Sequence, residues 1–244
     1  MRKFFTLTFL FTFAILNAQV LRVGLQAGAA AYRGDVGYAP EATIKQMNLS
    51  FGVYGTYFVR NFIGLRGQAY FAQLTGNERA FPASDFHAKR GYSFETTLVE
   101  LAIMPEIRPF KIGHVNFIGF AGVAASYYLP RTNYNELSNE PHHPNIAEDK
   151  DGYYSLRTLA VPVGGGVEFF INDKIAVGLE IIGRFTLSDY LDGVHYTGNQ
   201  RSKDFYYTGG ITLSKTIGEV KGTQKSIFSR SNLNRNAAYC PRFY

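Results

Sequence analysis

The chain has 244 residues, a net charge of +6 and a mean hydropathy of −0.10, with 17 Tyr, 21 Phe, 25 Gly and no Trp. After the amino-terminal leader no run approaches the roughly 20 apolar residues of a transmembrane helix, which excludes a helical membrane protein. Residues 218–244 hold Lys221, Lys225, Arg230, Arg235 and Arg242 against Glu219 alone, whereas residues 19–217 balance at 18 basic and 18 acidic side chains. A basic excess confined to one end argues against nucleic acid as a partner.

The leader is Met1-Arg2-Lys3, the apolar run Phe4–Leu16, then Leu16-Asn17-Ala18. A basic n-region, an h-region too short to span a bilayer and a small residue at the cut define a secretory signal peptide over residues 1–18. Cleavage is expected after Ala18, and no cysteine stands there for lipid attachment.

Eight segments then alternate with period two, which sets an apolar face against a polar one. Val20–Gly34 turns Leu21, Val23, Leu25 and Ala27 one way and Arg22 and Gln26 the other. Asn48–Arg60 presents Leu49, Phe51, Val53, Tyr57 and Val59, and Asn61 turns into Phe62–Thr75, with Arg66 and Gln68 on the polar face. Ser93–Arg108 sets Val99, Leu101 and Ile103 opposite Glu100 and Glu106. Pro109–His114 turns into Val115–Leu129. Tyr153–Phe170 and Ile175–Tyr190 form a long hairpin around Ile171–Lys174, with Glu168, Glu180, Arg184 and Ser188 on its polar face. Asp204–Ile217 is the eighth segment, with Phe205, Tyr207, Ile211 and Leu213 outward.

Arms of roughly 12–15 residues match tilted outer-membrane strands and are about twice the usual length in a soluble sandwich, the rival fold. The connections near Asn61, Lys111 and Asn172 are short, while 35–47, 76–92, 130–152 and 191–203 are long and polar. That alternation predicts an all-β, eight-stranded antiparallel transmembrane β-barrel over residues 19–217. Its short turns would be periplasmic and its long loops extracellular. An even strand count then puts both termini in the periplasm, and eight strands leave room only for side chains. Arg22, Arg66 and Arg184 are expected to balance Glu100, Glu168 and Glu180 as a structural lumen network, because unpaired charge there is costly.

Little else carries chemistry. His142-His143 are two neighbours with no further ligand pattern, so neither a metal nor a cofactor is expected. Ser188, Asp189 and His195 lie close together at one rim, the residue types of a lipid-modifying hydrolase, but their spacing imposes no nucleophile–base geometry. The expectation is a non-enzyme. Residues 218–244 form a basic tail dotted with Ile227, Phe228, Leu233, Tyr239, Phe243 and Tyr244, a composition that orders on a partner. Cys240, the only cysteine, is either a free thiol or an intermolecular disulfide partner. Cys240, Arg230, Arg235, Tyr239 and Arg242 are the expected partner-binding residues.

Several short motifs follow one another in order. They are Tyr32-Arg33-Gly34-Asp35-Val36-Gly37, Phe51-Gly52-Val53-Tyr54, Leu65-Arg66-Gly67 and Leu74-Thr75-Gly76. Then come Leu98-Val99-Glu100-Leu101, Gly119–Val123, Pro162–Val167 and Asp189–Val194. Together they resemble the PorG-like outer-membrane barrels of the type IX secretion system of Bacteroidota, over about residues 20–217. The resemblance implies a barrel held in outer-membrane lipid that anchors or organises a periplasmic ring, built of a lipoprotein and a soluble partner. A Cys240 disulfide to the ring lipoprotein is the expected contact. A passive structural barrel and a lipid-modifying hydrolase are the rival readings.

Overall fold

The computed structural model describes residues 20–36, 45–60, 62–80, 82, 85–134, 149–150, 155–198 and 203–217. The leader, Asn61, His142-His143 and the tail with Arg230, Arg235, Tyr239, Cys240 and Arg242 lie outside the described residues.

The described residues form ten strands and one short helix. The strands are β1 (Val20–Arg33), β2 (Asn48–Arg60), β3 (Ile63–Asn77), β4 (Ser93–Ile107), β5 (Lys111–Ile112), β6 (Val115–Ala121), β7 (Val123–Asn133), β8 (Arg157–Phe170), β9 (Ile175–Thr186) and β10 (Phe205–Ile217). The helix α1 (Asp85–Arg90) lies in the connection between β3 and β4. Each wall strand pairs antiparallel with its neighbours, and β1 closes on β10 from Leu21↔Ile217 to Arg33↔Phe205. β6 and β7 are one wall strand, since both keep the same register against β4 and against β8. The wall is therefore an eight-stranded antiparallel barrel.

The interruption falls at Gly122, whose N–H donates to the Pro162 carbonyl at 3.0 Å. A Cβ at this position would lie 2.7 Å from the Met104 Cα, so only glycine allows so close an approach of the two strands. Pro105, next to Met104 in β4, brings no N–H to the ladder, which further weakens pairing here. The predicted fifth strand is thus broken at Gly122 and runs on to Asn133. β5 is a small addition: the predicted turn 109–114 contains a two-residue hairpin, with Gly113 at φ 59° in its tip.

Side-chain exposure runs opposite to that of a soluble protein. Leu25, Val53, Leu101, Val123, Leu179 and Ile211 are among the most exposed side chains, with Leu101 at 65%, while Arg22, Arg66 and Arg184 are at most 1% exposed. A continuous apolar belt of this size has no place on a water-soluble monomer. Phe71, Tyr127, Phe185 and Phe205 border it towards the long connections, and Tyr57, Phe117 and Phe169 towards the short turns, as aromatic girdles do. The fold is that of a transmembrane β-barrel of the outer-membrane type. The barrel's two chain ends lie at the short-turn end, where Thr216 N–H donates to the Lys174 carbonyl at 2.7 Å.

One sequence expectation fails at the other end. The seventh strand was expected to run to Tyr190, but β9 stops at Thr186. Leu187 still donates its N–H to the Leu159 carbonyl and Ser188 still accepts from Asp204, and the residues after them fold into the barrel mouth, where Leu191 and Val194 are completely buried. Apolar side chains in a connection otherwise rich in polar residues find their core by turning inward.

The belt makes a direct prediction. Leu101→Arg, at mid-belt, should destabilise the barrel by about 2–4 kcal/mol, and Thr97→Arg, near the rim, by about 0–1 kcal/mol. Urea unfolding in lipid vesicles measures both.

Candidate functional site: an ion-paired lumen closed by an acidic mouth

The inward positions of the wall build a column of charge. Among the described residues it holds Arg22, Arg66, Arg108 and Arg184 with Glu100, Glu106, Glu168 and Glu180, all buried. At the short-turn end Arg22 Nη1 lies 2.6 Å from Glu168 Oε2, and Arg108 Nη2 lies 3.2 Å from the same oxygen. Arg108 also reaches Glu106 at 3.0 Å. Above them Arg66 grips Glu180 through both terminal nitrogens, at 2.9 and 2.8 Å, a bidentate pair. Thr56 Oγ1 donates to Glu106 at 3.0 Å.

A layer of apolar side chains, including Met104, Phe120 and Ile182, separates this group from the next. There Arg184 Nε donates to Glu100 at 2.8 Å and Nη1 donates to Thr208 Oγ1 at 2.6 Å. Tyr206 Oη donates to the second Glu100 oxygen at 2.6 Å. Arg66 Nε, Arg108 Nη1 and Arg184 Nη2 have no acceptor among the described residues. Their guanidiniums instead stack on aromatic faces, Arg66 at 3.8 Å from the Tyr54 centroid, Arg108 at 4.0 Å from Phe58 and Arg184 at 4.3 Å from Tyr70. Cation–π contact is strongest where water is excluded, and it gives these guanidiniums an attractive surface where oxygen is lacking.

All six lumen residues named from the sequence therefore sit in this column, in the pairs Arg22–Glu168, Arg66–Glu180 and Arg184–Glu100. Arg108 was missed. It shares the parity of Glu106 within the expected strand Ser93–Arg108, so period-two alternation already pointed it inward. The aromatic partners leave no such signal, because Tyr and Phe occupy both faces of these strands.

The mouth is built differently. Glu78, just after β3, binds Arg90 at the end of α1, and Arg90 Nη1 and Nη2 donate to the carbonyls of Thr197 and Asp35 at 3.0 and 2.9 Å. One side chain thus joins three long connections. Asp149 accepts the N–H groups of His195, Tyr196 and Thr197 at 3.0, 2.9 and 3.0 Å. The segment 187–198 is held from the walls as well: Thr96, Thr132 and Tyr134 donate to the carbonyls of Leu191, Asp192 and Gly193.

Ser188, Asp189 and His195 are only partly brought together. His195 Nδ1 lies 2.6 Å from Asp189 Oδ2. Ser188 Oγ instead lies 2.8 Å from Tyr128 Oη and accepts Tyr190 N–H at 3.2 Å. Burial raises the Asp189 carboxyl above its ordinary pKa, with the His195 hydrogen bond opposing the shift.

The pairing predicts an asymmetry. Arg66→Met should destabilise the barrel by about 3–5 kcal/mol, since Glu180 is left charged and buried, while Arg66→Met with Glu180→Leu should recover most of that loss. Comparing urea midpoints of the single and double variants checks it.

Residues 1–223 match a family model described as a domain of unknown function, DUF6089. Comparison with curated proteins gives no match. Among solved structures the barrel is similar to Neisserial surface protein A, at 10% identity and a TM-score of 0.46, covering 82% of this chain and 97% of that one. It is also similar to the attachment invasion locus protein Ail of Yersinia pestis, in a complex with the heparin analogue sucrose octasulfate, at 11% identity and 0.43, covering 81% and 98%. OprG of Pseudomonas aeruginosa aligns at 9% identity and 0.43, covering 81% and 96%. Likenesses of this size say nothing of function. The family match, which spans most of the chain, does establish kinship: this barrel belongs to the DUF6089 family.

Proposed function

We propose that this chain is the outer-membrane barrel of a type IX protein secretion apparatus, where it anchors or organises a periplasmic ring containing a lipoprotein and a soluble partner. The observation that carries the reading is the filled lumen. Arginine and glutamate pairs occupy the barrel along its length, so the barrel is no conduit and its work falls to its two ends. The ordered run of motifs from Tyr32 to Val194, which resembles PorG-like barrels, supports the choice of apparatus.

In this reading the short turns and both termini face the periplasm. The tail from Gly218 then starts at the rim formed by Lys111–His114 and Ile171–Lys174, beside which β10 ends. Arg230, Arg235, Tyr239 and Arg242 of the tail contact the ring, and Cys240 forms a disulfide with its lipoprotein. Lipid fixes the apolar belt, and the protein itself catalyses nothing. The Ser188 hydroxyl is engaged by Tyr128 and Tyr190 rather than by His195, which favours this reading over a hydrolase.

Deleting residues 218–244 should leave a folded, inserted barrel but abolish co-purification of a ring lipoprotein after cross-linking in outer membranes. Unimpaired secretion by the truncated protein would leave a passive structural barrel in its place. On non-reducing gels the wild type should carry a shifted band that Cys240→Ser lacks; a wild type without that band sinks the disulfide.

A further inference from the structure

The mouth segment 187–198 is fastened by an arrangement that needs an extra proton. Tyr32 Oη, at the end of β1, lies 2.7 Å from Asp192 Oδ2 and within hydrogen-bond contact of Asp204 Oδ1. A phenol has one proton and can donate it to only one carboxylate. The second contact is a hydrogen bond only if that carboxyl group carries its own proton and donates to the phenol oxygen. Asp192 is fully buried and Asp204 nearly so, which removes the alternative of solvating two charged carboxylates.

The remaining oxygens of both acids bind the plug. Asp204 Oδ2 accepts Leu191 N–H at 2.8 Å, and Asp192 Oδ1 accepts Val194 N–H at 2.9 Å. Asp204 itself stands just before β10, so this cluster ties the segment to two wall strands. The charged groups around it are Asp35 beyond β1, Asp189 within the segment with Lys203 beside it, and Arg90 at the end of α1. Arg90, the cation that acts on Asp192 among the described residues, is already bound to Glu78. Among the described residues no group of three or more His, Cys, Asp or Glu side chains is arranged to hold a metal ion.

We infer that segment 187–198 is a proton-latched plug: a proton shared by Asp192 and Asp204 through the Tyr32 hydroxyl holds it in the barrel mouth, and losing that proton releases it. The inference is independent of the secretion reading. Burial drives both acids upward, Asp204 to about 7 and Asp192 well above the usual carboxylate range, with mutual repulsion adding to the shift of Asp192. The docked state therefore binds more protons than the released one. Docking is strongest below the ordinary carboxyl pKa near 4 and weakens as pH rises through about 7.

Hydrogen exchange of the Leu191 and Val194 amides, measured on the full chain in lipid vesicles and corrected for intrinsic rates, tests this. In the wild type, protection should fall about tenfold per pH unit for each proton released between pH 5 and 7. Asp192→Asn keeps the acceptor for Val194 N–H and removes one acid, so its protection should fall less steeply with pH than the wild type's. If that variant does not fold, Asp204→Asn serves the same purpose. A flat wild-type profile overturns the latch, as does an unchanged slope in both asparagine variants at the pair. Restoration of wild-type protection at pH 8 by millimolar calcium would make the pair a cation site and would equally overturn it.

Discussion

Closing eight strands into a ring turns every inward side chain towards one narrow column. The outer face of the same strands meets lipid, so polar side chains are driven inward, and the column fills with arginine and glutamate. Once there, a charge has no water to fall back on and must be met by an opposite charge, a hydroxyl or an aromatic face. Arg184 shows all three at once: Glu100 takes its Nε, the Thr208 hydroxyl accepts from Nη1, and the Tyr70 ring lies against its plane. The wall holds the pairs in register, and the pairs fill the space that the wall encloses.

The two ends depart from this balance in different ways. At the short-turn end Glu168 receives both Arg22 and Arg108, so the column finishes on well-matched charge. At the mouth four acids, Asp35, Asp189, Asp192 and Asp204, lie close together, with Arg90 acting on Asp192 and Lys203 on Asp189. Neutral donors make up the difference: Thr96, Thr132 and Tyr134 hold the plug by its carbonyls, and Tyr32 joins two acids. A lumen held by ion pairs is insensitive to moderate pH, whereas a mouth held by shared protons responds to it. The rigid and the responsive parts of the molecule thus differ in the kind of bond that holds them.

The wall was legible because alternation is a local property. Leu21, Val23 and Leu25 declare their face without reference to any other strand, and so do Arg22 and Gln26. The same parity gave the six lumen residues their direction, though it could not choose which arginine meets which glutamate. Arg108 lay within the expected strand Ser93–Arg108 but, as its last residue before the turn, was not counted with the lumen charges. At the mouth the nearness of Asp189 and His195 was legible, but the cluster around Tyr32 was not. Tyr32 is separated from Asp192 and Asp204 by most of the chain and meets them only because β1 closes on β10.

The sequence by itself determined the strand count, the inward and outward faces, the alternation of short and long connections and six of the lumen charges. Each of these follows from period two and from the residues that turns require, and neither needs a partner. Tertiary structure alone decided the pairing of the charges, the break at Gly122 and the inward fold of 187–198. Those depend on barrel closure, which sets the register between strands and leaves a mouth that Leu191 and Val194 can fill. Alternation orients a side chain, but only the closed ring determines what it touches.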